Sequence, residues 1–153
     1  MAWPSISDYN AALLKAPAAF VPHSLSDCTV VPGPMGLPMP VSGGYAYIYE
    51  LRDGGGHRKA LRCFREDDPG RRARAAAVCQ GLARVRASRP DLAAHFIRAV
   101  WEEKCLSTSA GTVPAMVMDW AEGVTLGARL EALQDDPGGL RDLRERIHRM
   151  LAL

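Results

Sequence analysis

Residues 41–64, VSGGYAYIYELRDGGGHRKALRCF, contain two strand-like runs on either side of a glycine-rich turn. Tyrosines at every second position from 45 to 49 predict a β-strand that starts just after Ser42-Gly43-Gly44, because strand side chains alternate between two faces. The three glycines at 54–56 favour positive φ angles and predict a tight turn. Residues 59–64 are then the return strand of a β-hairpin. Glycines at the start of the first strand leave its backbone open to close approach by a ligand.

The first forty residues combine a short helix with a proline-rich segment. Ser5 is a suitable N-cap for a helix in which Tyr9, Leu13 and Leu14 recur at helical spacing, and Pro17 ends that pattern. Residues 16–40 hold six prolines and are expected to run extended over a surface. Four apolar residues could attach this segment to a core, so an ordered wrap and a loose tail both remain open. These residues are Phe20, Val21, Val30 and Val31.

Beyond the hairpin, the periodicity predicts a helix, a second hairpin and two further helices. Apolar residues at helical spacing run through 71–87, and strand-like runs at 96–108 and 113–119 flank a turn at 109–111. Thr125 can cap the next helix, and residues 140–151 form the last one. The sequence therefore predicts an α+β fold: a five-stranded antiparallel sheet with one helix inserted after the third strand, an N-terminal helix and two C-terminal helices.

Three stretches, in this order, resemble the small lobe of a protein kinase. Residues 42–49 resemble the glycine-rich loop, Ala60-Leu61-Arg62 the strand with the V-A-I-K signature, and residues 115–126 the fifth strand, the hinge and the start of the following helix. The resemblance implies a divergent, bacterial-type kinase-like protein or pseudokinase of the serine/threonine kinase type. An N-terminal helix and wrap would cover 1–40, the small lobe 41–120, and the hinge with the first helices of a truncated large lobe 121–153.

The resemblance also implies a site for ATP or another adenine nucleotide. By the family's pattern, the loop covers the phosphates, Arg62 stands where the phosphate-binding Lys would be, and Met118 takes the gatekeeper place. Ile48 and Ala60 would pack on the adenine ring, and the backbone at 119 and 121 would bond its edge. The residues so implied are Gly43, Gly44, Ala46, Ile48, Ala60, Arg62, Met118, Asp119 and Ala121. Ile48, Ala60 and Met118 equally suit an ordinary core, and that alternative stays open.

The sequence departs from the family's pattern where the chemistry is most demanding. Of the three loop glycines only Gly43 is kept, with Gly44 beside it, and Arg62 has a longer, planar head group than Lys. Lys59 cannot replace it, because strand alternation turns Lys59 to the opposite face. Residues 71–89 include no acidic partner for position 62, and no H-R-D or D-F-G string occurs. We therefore expect no phosphoryl transfer by this chain alone, no catalytic residue and no metal ligands.

A second hypothesis is a non-enzymatic protein-interaction module. Arg71, Arg72 and Arg74 begin an arginine-rich helix, which would suit an acidic protein partner. A missing kinase large lobe is the other partner that the resemblance implies. The alternative is that these arginines form a solvated helix face, because acidic residues flank the helix. Nucleic acid is not the expected partner, since no nucleic-acid-binding motif is present and the net charge is only +2.

The composition is typical of a soluble globular chain, with 48% hydrophobic and 24% charged residues. No run of 18 apolar residues and no signal-peptide pattern occurs, so we expect no membrane association and a cytoplasmic location. Cys28, Cys63, Cys79 and Cys105 are scattered without metal-binding spacing. We predict that they are buried free thiols rather than disulfides.

Overall fold

An antiparallel β-sheet forms the centre of residues 1–120 in the computed structural model, which describes residues 2–152. Its strands are β1 (Thr29–Val30), β2 (Val41–Ser42), β3 (Ala46–Arg52), β4 (Arg58–Phe64), β5 (Ala99–Thr108) and β6 (Gly111–Asp119). The order across the sheet is β1, β3, β4, β6, β5, and β2 also pairs with β3. The predicted α+β class and antiparallel sheet are confirmed. The sheet has six strands because two short strands pair with opposite ends of β3.

The described residues form five α-helices. They are α1 (Ile6–Leu13), α2 (Pro69–Ser88), α3 (Pro90–Ala93), α4 (Leu126–Ala132) and α5 (Pro137–Leu151). Helices α1 to α3 belong to the unit formed by residues 1–120, and α4 and α5 form a second unit, 121–153. The predicted caps Ser5 and Thr125 are confirmed: each side-chain oxygen accepts a hydrogen bond from the backbone N–H three residues later. None of the described helices is long and apolar enough to cross a membrane.

One face of the sheet is covered by α1 and the segment that follows it. The buried cluster on this face includes Tyr9 and Leu13 of α1, Tyr49 of β3 and Leu61 of β4. The hydroxyl of Tyr9 donates to the carbonyl of Phe64 at 2.8 Å, which fixes α1 against the end of β4. Burial of apolar surface therefore attaches the first helix to the sheet, and a buried hydrogen bond orients it.

The opposite face packs against α2. A smaller cluster joins Ala75 and Cys79 of the helix to Phe64, Ala99 and Met116 of three strands. Small residues at the helix positions allow the helix to approach the sheet closely. The predicted apolar stripe of residues 71–87 is only partly confirmed, because Val78, one of its apolar residues, is 54% exposed beside a cavity.

The proline-rich segment is an ordered wrap. Leu25 and Cys28 are fully buried in the first cluster, and Phe20 and Val30 pack partly against it. Val21, one of the predicted attachment residues, is instead 49% exposed. The segment also adds β1 to the edge of β3, where Val30 pairs with Leu51. The backbone pairing and the two deeply buried side chains show that the segment is an ordered wrap and not a loose tail.

Both predicted hairpins are present, but details of each were wrong. Of the glycines at 54–56, only Gly56 has a positive φ, 84°. The carboxylate of Asp53 shapes this turn instead, because it accepts from the backbone N–H groups of Gly55 and His57 at 3.0 and 2.9 Å. In the second hairpin, β5 starts at Ala99 rather than at residue 96. Phe96 precedes the sheet, and its carbonyl accepts from the Arg86 guanidinium at 2.7 Å.

Candidate functional site

Five of the nine residues predicted to contact a nucleotide lie on the face of the sheet that packs against α2. Ile48 is directly opposite Arg62 in the β3–β4 ladder, and Ala60 is opposite Met118 in the β4–β6 ladder. Ala46 is opposite Phe64, a member of the α2 cluster. Because directly paired residues and every second residue share a face, these side chains occupy one surface of three adjacent strands.

Lys59 is on the other face of the sheet, as its spacing from Arg62 predicts. Its ammonium group lies 3.6 Å from Asp53 Oδ2 and 3.4 Å from the carbonyl oxygen of Ser24. Both partners belong to the side covered by the N-terminal wrap. Lys59 therefore cannot provide the positive charge on the α2 side, and Arg62 is the basic residue of β4 at that position.

A cavity of about 450 Å3 lies between β4 and α2. Arg62 and Phe64 line it from β4, Met116 from β6, and Tyr45 from the residue before β3. The helix contributes residues one turn apart, namely Arg71, Arg74, Ala75 and Val78. Three arginines therefore line one cavity, and no Asp or Glu is among its lining residues. Such a cavity attracts anions.

The three arginines of this cavity differ in how they are paired. Arg71 Nε is 2.9 Å from Asp68 Oδ2, and its guanidinium carbon lies 4.0 Å from the centre of the Tyr45 ring. Neither Arg62 nor Arg74 forms an ion pair within residues 2–152. Arg62 Nε is moreover buried without a hydrogen-bond partner in the described part of the chain. Arg74 is exposed, and its charge helps to lower the pKa of the Asp68 carboxyl. The cavity thus has an excess of positive charge, part of which Asp68 offsets.

The backbone amides at the start of α2 are already engaged. Asp68 caps the helix, accepting from the Arg71 N–H at 3.0 Å. This hydrogen bond, together with the Arg71 guanidinium, keeps the pKa of Asp68 below its usual value. Of the three arginines predicted to contact a partner, Arg72 is also paired, with its Nη2 3.1 Å from Asp67 Oδ1. Among the described residues, only Arg74 of these three forms no ion pair, which weakens the hypothesis of a continuous basic docking face.

The glycine-rich turn closes tightly but does not require glycine. Gly43 N–H donates to the Ala46 carbonyl at 3.0 Å, and β2 returns along β3 with Val41 opposite Ile48. Neither Gly43 nor Gly44 has a positive φ. A Cβ added at Gly44 would meet nothing within 4 Å, and one at Gly43 would make an ordinary contact at 3.7 Å. The space beside this backbone is open to a ligand.

The residues predicted to form the hinge lie in different surroundings. Asp119 donates its backbone N–H to the carbonyl of Arg98 at 2.9 Å, so a contact from Asp119 to a base edge would come from its carbonyl. Met118 packs partly against the α2 cluster, and with Asp119 and Lys59 it lines a second cavity of about 180 Å3. Ala121 belongs to the second unit.

The sequence predicts Arg62 in a nucleotide site, and Arg71 and Arg74 in a separate partner site. The structure brings all three to one cavity, together with Tyr45, which was not predicted to have a role. The spacing of Arg71, Arg74 and Val78 along a single helix face was the available signal. Which sheet residues that face would meet depends on the tertiary packing of α2.

Comparisons with protein-family models, with curated proteins and with solved structures gave no significant match. Within residues 2–152, no three His, Cys, Asp or Glu side chains are grouped closely enough to hold a metal ion.

Proposed function

We propose that residues 41–120 form a divergent protein-kinase-like small lobe that binds an adenine nucleotide and does not transfer phosphate by itself. The observation that carries this proposal is the cross-strand register of Ile48 with Arg62 and of Ala60 with Met118 on one face. The order of the elements also supports it, since a hairpin, a long helix and a second hairpin follow one another. The last strand of the second hairpin pairs with the return strand of the first.

In the proposed complex, the adenine ring packs against the apolar side chains of Ile48 and Ala60. Arg62 then provides positive charge for the phosphates, and the open backbone at Gly43 and Gly44 allows the phosphates to come close. Ala60 is 5% exposed, so the base would contact it at the edge of the packed surface rather than in a deep pocket. We therefore expect weak binding.

Phosphoryl transfer requires groups that these residues do not supply. In the family that the sequence resembles, a Lys–Glu ion pair and Mg²⁺ ligands orient the phosphates. Here α2 has no acidic residue, and the helix side chains facing Arg62 include two more arginines. The lobe would thus bind phosphates by charge alone, as a pseudokinase does that acts by binding rather than catalysis.

The proposal is tested by thermal unfolding of the 153-residue chain with ATP or ADP, in EDTA and in MgCl2. We expect nucleotide to raise the Tm, and the rise to persist in EDTA. Gly44→Ala should weaken nucleotide binding several-fold, because its Cβ would occupy the open space beside the loop, while the unliganded Tm is unchanged. Gly81→Ala, also sterically free but within α2, is the matched control. If no nucleotide shifts the Tm, the interaction-module hypothesis is favoured instead.

A further inference from the structure

We infer that the cavity between β4 and α2 binds a dianionic phosphoryl group through Arg62 and Arg74, without a metal ion. The inference rests on the proposed function in taking Arg62 as the phosphate-binding residue of β4. It goes further in assigning the helix arginines to the same ligand, and in naming the group that the cavity accepts.

The charge balance of the cavity favours an anion. Arg71 is compensated by Asp68, and more distantly by Glu66 at 3.8 Å. Arg62 and Arg74 form no ion pair within residues 2–152, although the charge of the exposed Arg74 contributes to the lowered pKa of Asp68. The lining residues therefore carry an excess of positive charge, part of which Asp68 offsets. A phosphate monoester has a charge of about −1.5 to −2 at pH 7, so this excess of positive charge would attract it.

The buried donor of Arg62 also points to a ligand that accepts hydrogen bonds. Arg62 Nε is buried and unpartnered in the described part of the chain, although a guanidinium has five N–H donors that normally find acceptors. Phosphate oxygens accept two parallel hydrogen bonds from a guanidinium fork, and this geometry distinguishes arginine from lysine. A phosphoryl group would provide both the negative charge and the missing acceptors.

The remaining lining is apolar and suits the organic part of a small phosphorylated compound. Phe64, Met116, Ala75 and Val78 supply aliphatic and aromatic surface, and the half-exposed Tyr45 ring is held against Arg71 at the cavity wall. A volume of about 450 Å3 exceeds the needs of a bare phosphate ion and falls in the range of small-molecule sites. The phosphoryl group could belong to a nucleotide or to another phosphorylated small molecule.

Isothermal titration and thermal unfolding of the 153-residue chain in EDTA test this inference, with pyrophosphate, ADP and adenosine as probes. We expect pyrophosphate and ADP to bind, and to raise the Tm by roughly 5–10 °C at a hundredfold excess over Kd. Arg62→Gln and Arg74→Gln should each weaken pyrophosphate binding roughly ten- to hundredfold. Arg84→Gln, at an exposed position of the same helix outside the cavity, should leave binding unchanged.

The outcomes separate this inference from the proposed function. Pyrophosphate binding that is insensitive to both cavity variants would overturn the inference. Adenosine binding without any binding of pyrophosphate would also overturn it, while leaving the nucleotide proposal standing. If pyrophosphate binding depends on Arg62 and Arg74 but adenosine does not bind, the result supports the inference and contradicts the adenine site. If Arg62→Gln does not fold, Arg62→Lys keeps the charge and should retain part of the binding, whereas full loss would count against a charge-based site.

Discussion

Arg62 on β4 and Trp101 on β5 occupy one cross-strand row, because both are paired with Met116 of the intervening β6. Each of the two side chains has a buried nitrogen without a hydrogen-bond partner within residues 2–152. A buried polar group in this state costs about 1–3 kcal/mol of folding free energy. The face proposed to bind phosphate therefore carries a stability cost that a bound anion at Arg62 would reduce.

The first prediction is that two arginine-to-methionine substitutions in β4 change the free energy of unfolding in different directions. Arg62→Met should leave the free energy of unfolding of the unliganded chain unchanged or raise it by about 1 kcal/mol, because it removes an uncompensated, partly buried charge. Arg58→Met should lower it by about 1 kcal/mol, because Arg58 donates to both carboxylate oxygens of Glu50, at 2.7 and 3.0 Å. Urea unfolding measures both values. Equal losses in the two variants would show that Arg62 is paired.

The second prediction tests the ordered wrap with one substitution at two sites. Leu25→Ala should destabilise the chain by about 2–5 kcal/mol, since Leu25 is fully buried against the sheet. Leu37→Ala is the matched control; that side chain is 52% exposed and its loss should cost less than about 1 kcal/mol. Similar small effects for both variants in denaturant unfolding would mean that the segment does not pack as described.

The third prediction is a pH dependence that arises at Asp8. Hydrogen bonds from the hydroxyls of Ser109 and Ser5, and from the Ser5 backbone N–H, lower the pKa of Asp8 from 3.8 to about 2. Because the folded-state pKa is depressed, the stabilisation is present above pH 3.8 and is lost as the pH falls towards 2.

Asp8→Asn should therefore be less stable than the unmodified chain at neutral pH, and the difference should shrink between about pH 4 and pH 2. Thermal unfolding across this range measures the difference. Asp142→Asn, at an exposed position of α5, serves as the control and should show no comparable convergence. A difference for Asp8→Asn that persists unchanged at pH 2 would contradict the assignment.

The fourth prediction concerns the thiols. Cys28, Cys63, Cys79 and Cys105 are free and buried, as the sequence predicts, and burial raises the pKa of each thiol, that of Cys105 to about 12. A thiol reagent at pH 7 should react with the native chain roughly a hundredfold or more slowly than with the denatured chain. In denaturant without reductant all four should react. A smaller number would reveal a disulfide.

Local patterns predicted those parts of the fold that local chemistry determines. The Ser5 cap, the hairpin of β3 and β4, and the helix after Asp68 follow from capping residues, strand alternation and helical spacing. The burial of Leu25 and Cys28 could not be predicted, because isolated apolar residues among prolines show no periodicity. Their contacts exist only once the wrap crosses the finished sheet.

For the same reason, the sequence predicts individual residues of the candidate site but not that they lie together. Strand alternation correctly placed Lys59 and Arg62 on opposite faces, since that relation is local to β4. The meeting of Arg62 with Arg71 and Arg74 depends on which side of the sheet α2 covers, and on the pairing of β4 with β6 rather than with β5. Neither relation can be deduced from the spacing of residues along the chain.

Nuclear magnetic resonance of the 15N-labelled chain, titrated with ADP in EDTA, tests the proposed nucleotide site most directly. We predict saturable shifts of the backbone amides of Gly43 and Gly44 and of the Arg62 Nε–H signal, with smaller changes along β4. If these signals stay fixed while ADP is in large excess, or if the shifts are confined to α4 and α5, the lobe does not bind nucleotide at this face and the kinase-like proposal is wrong.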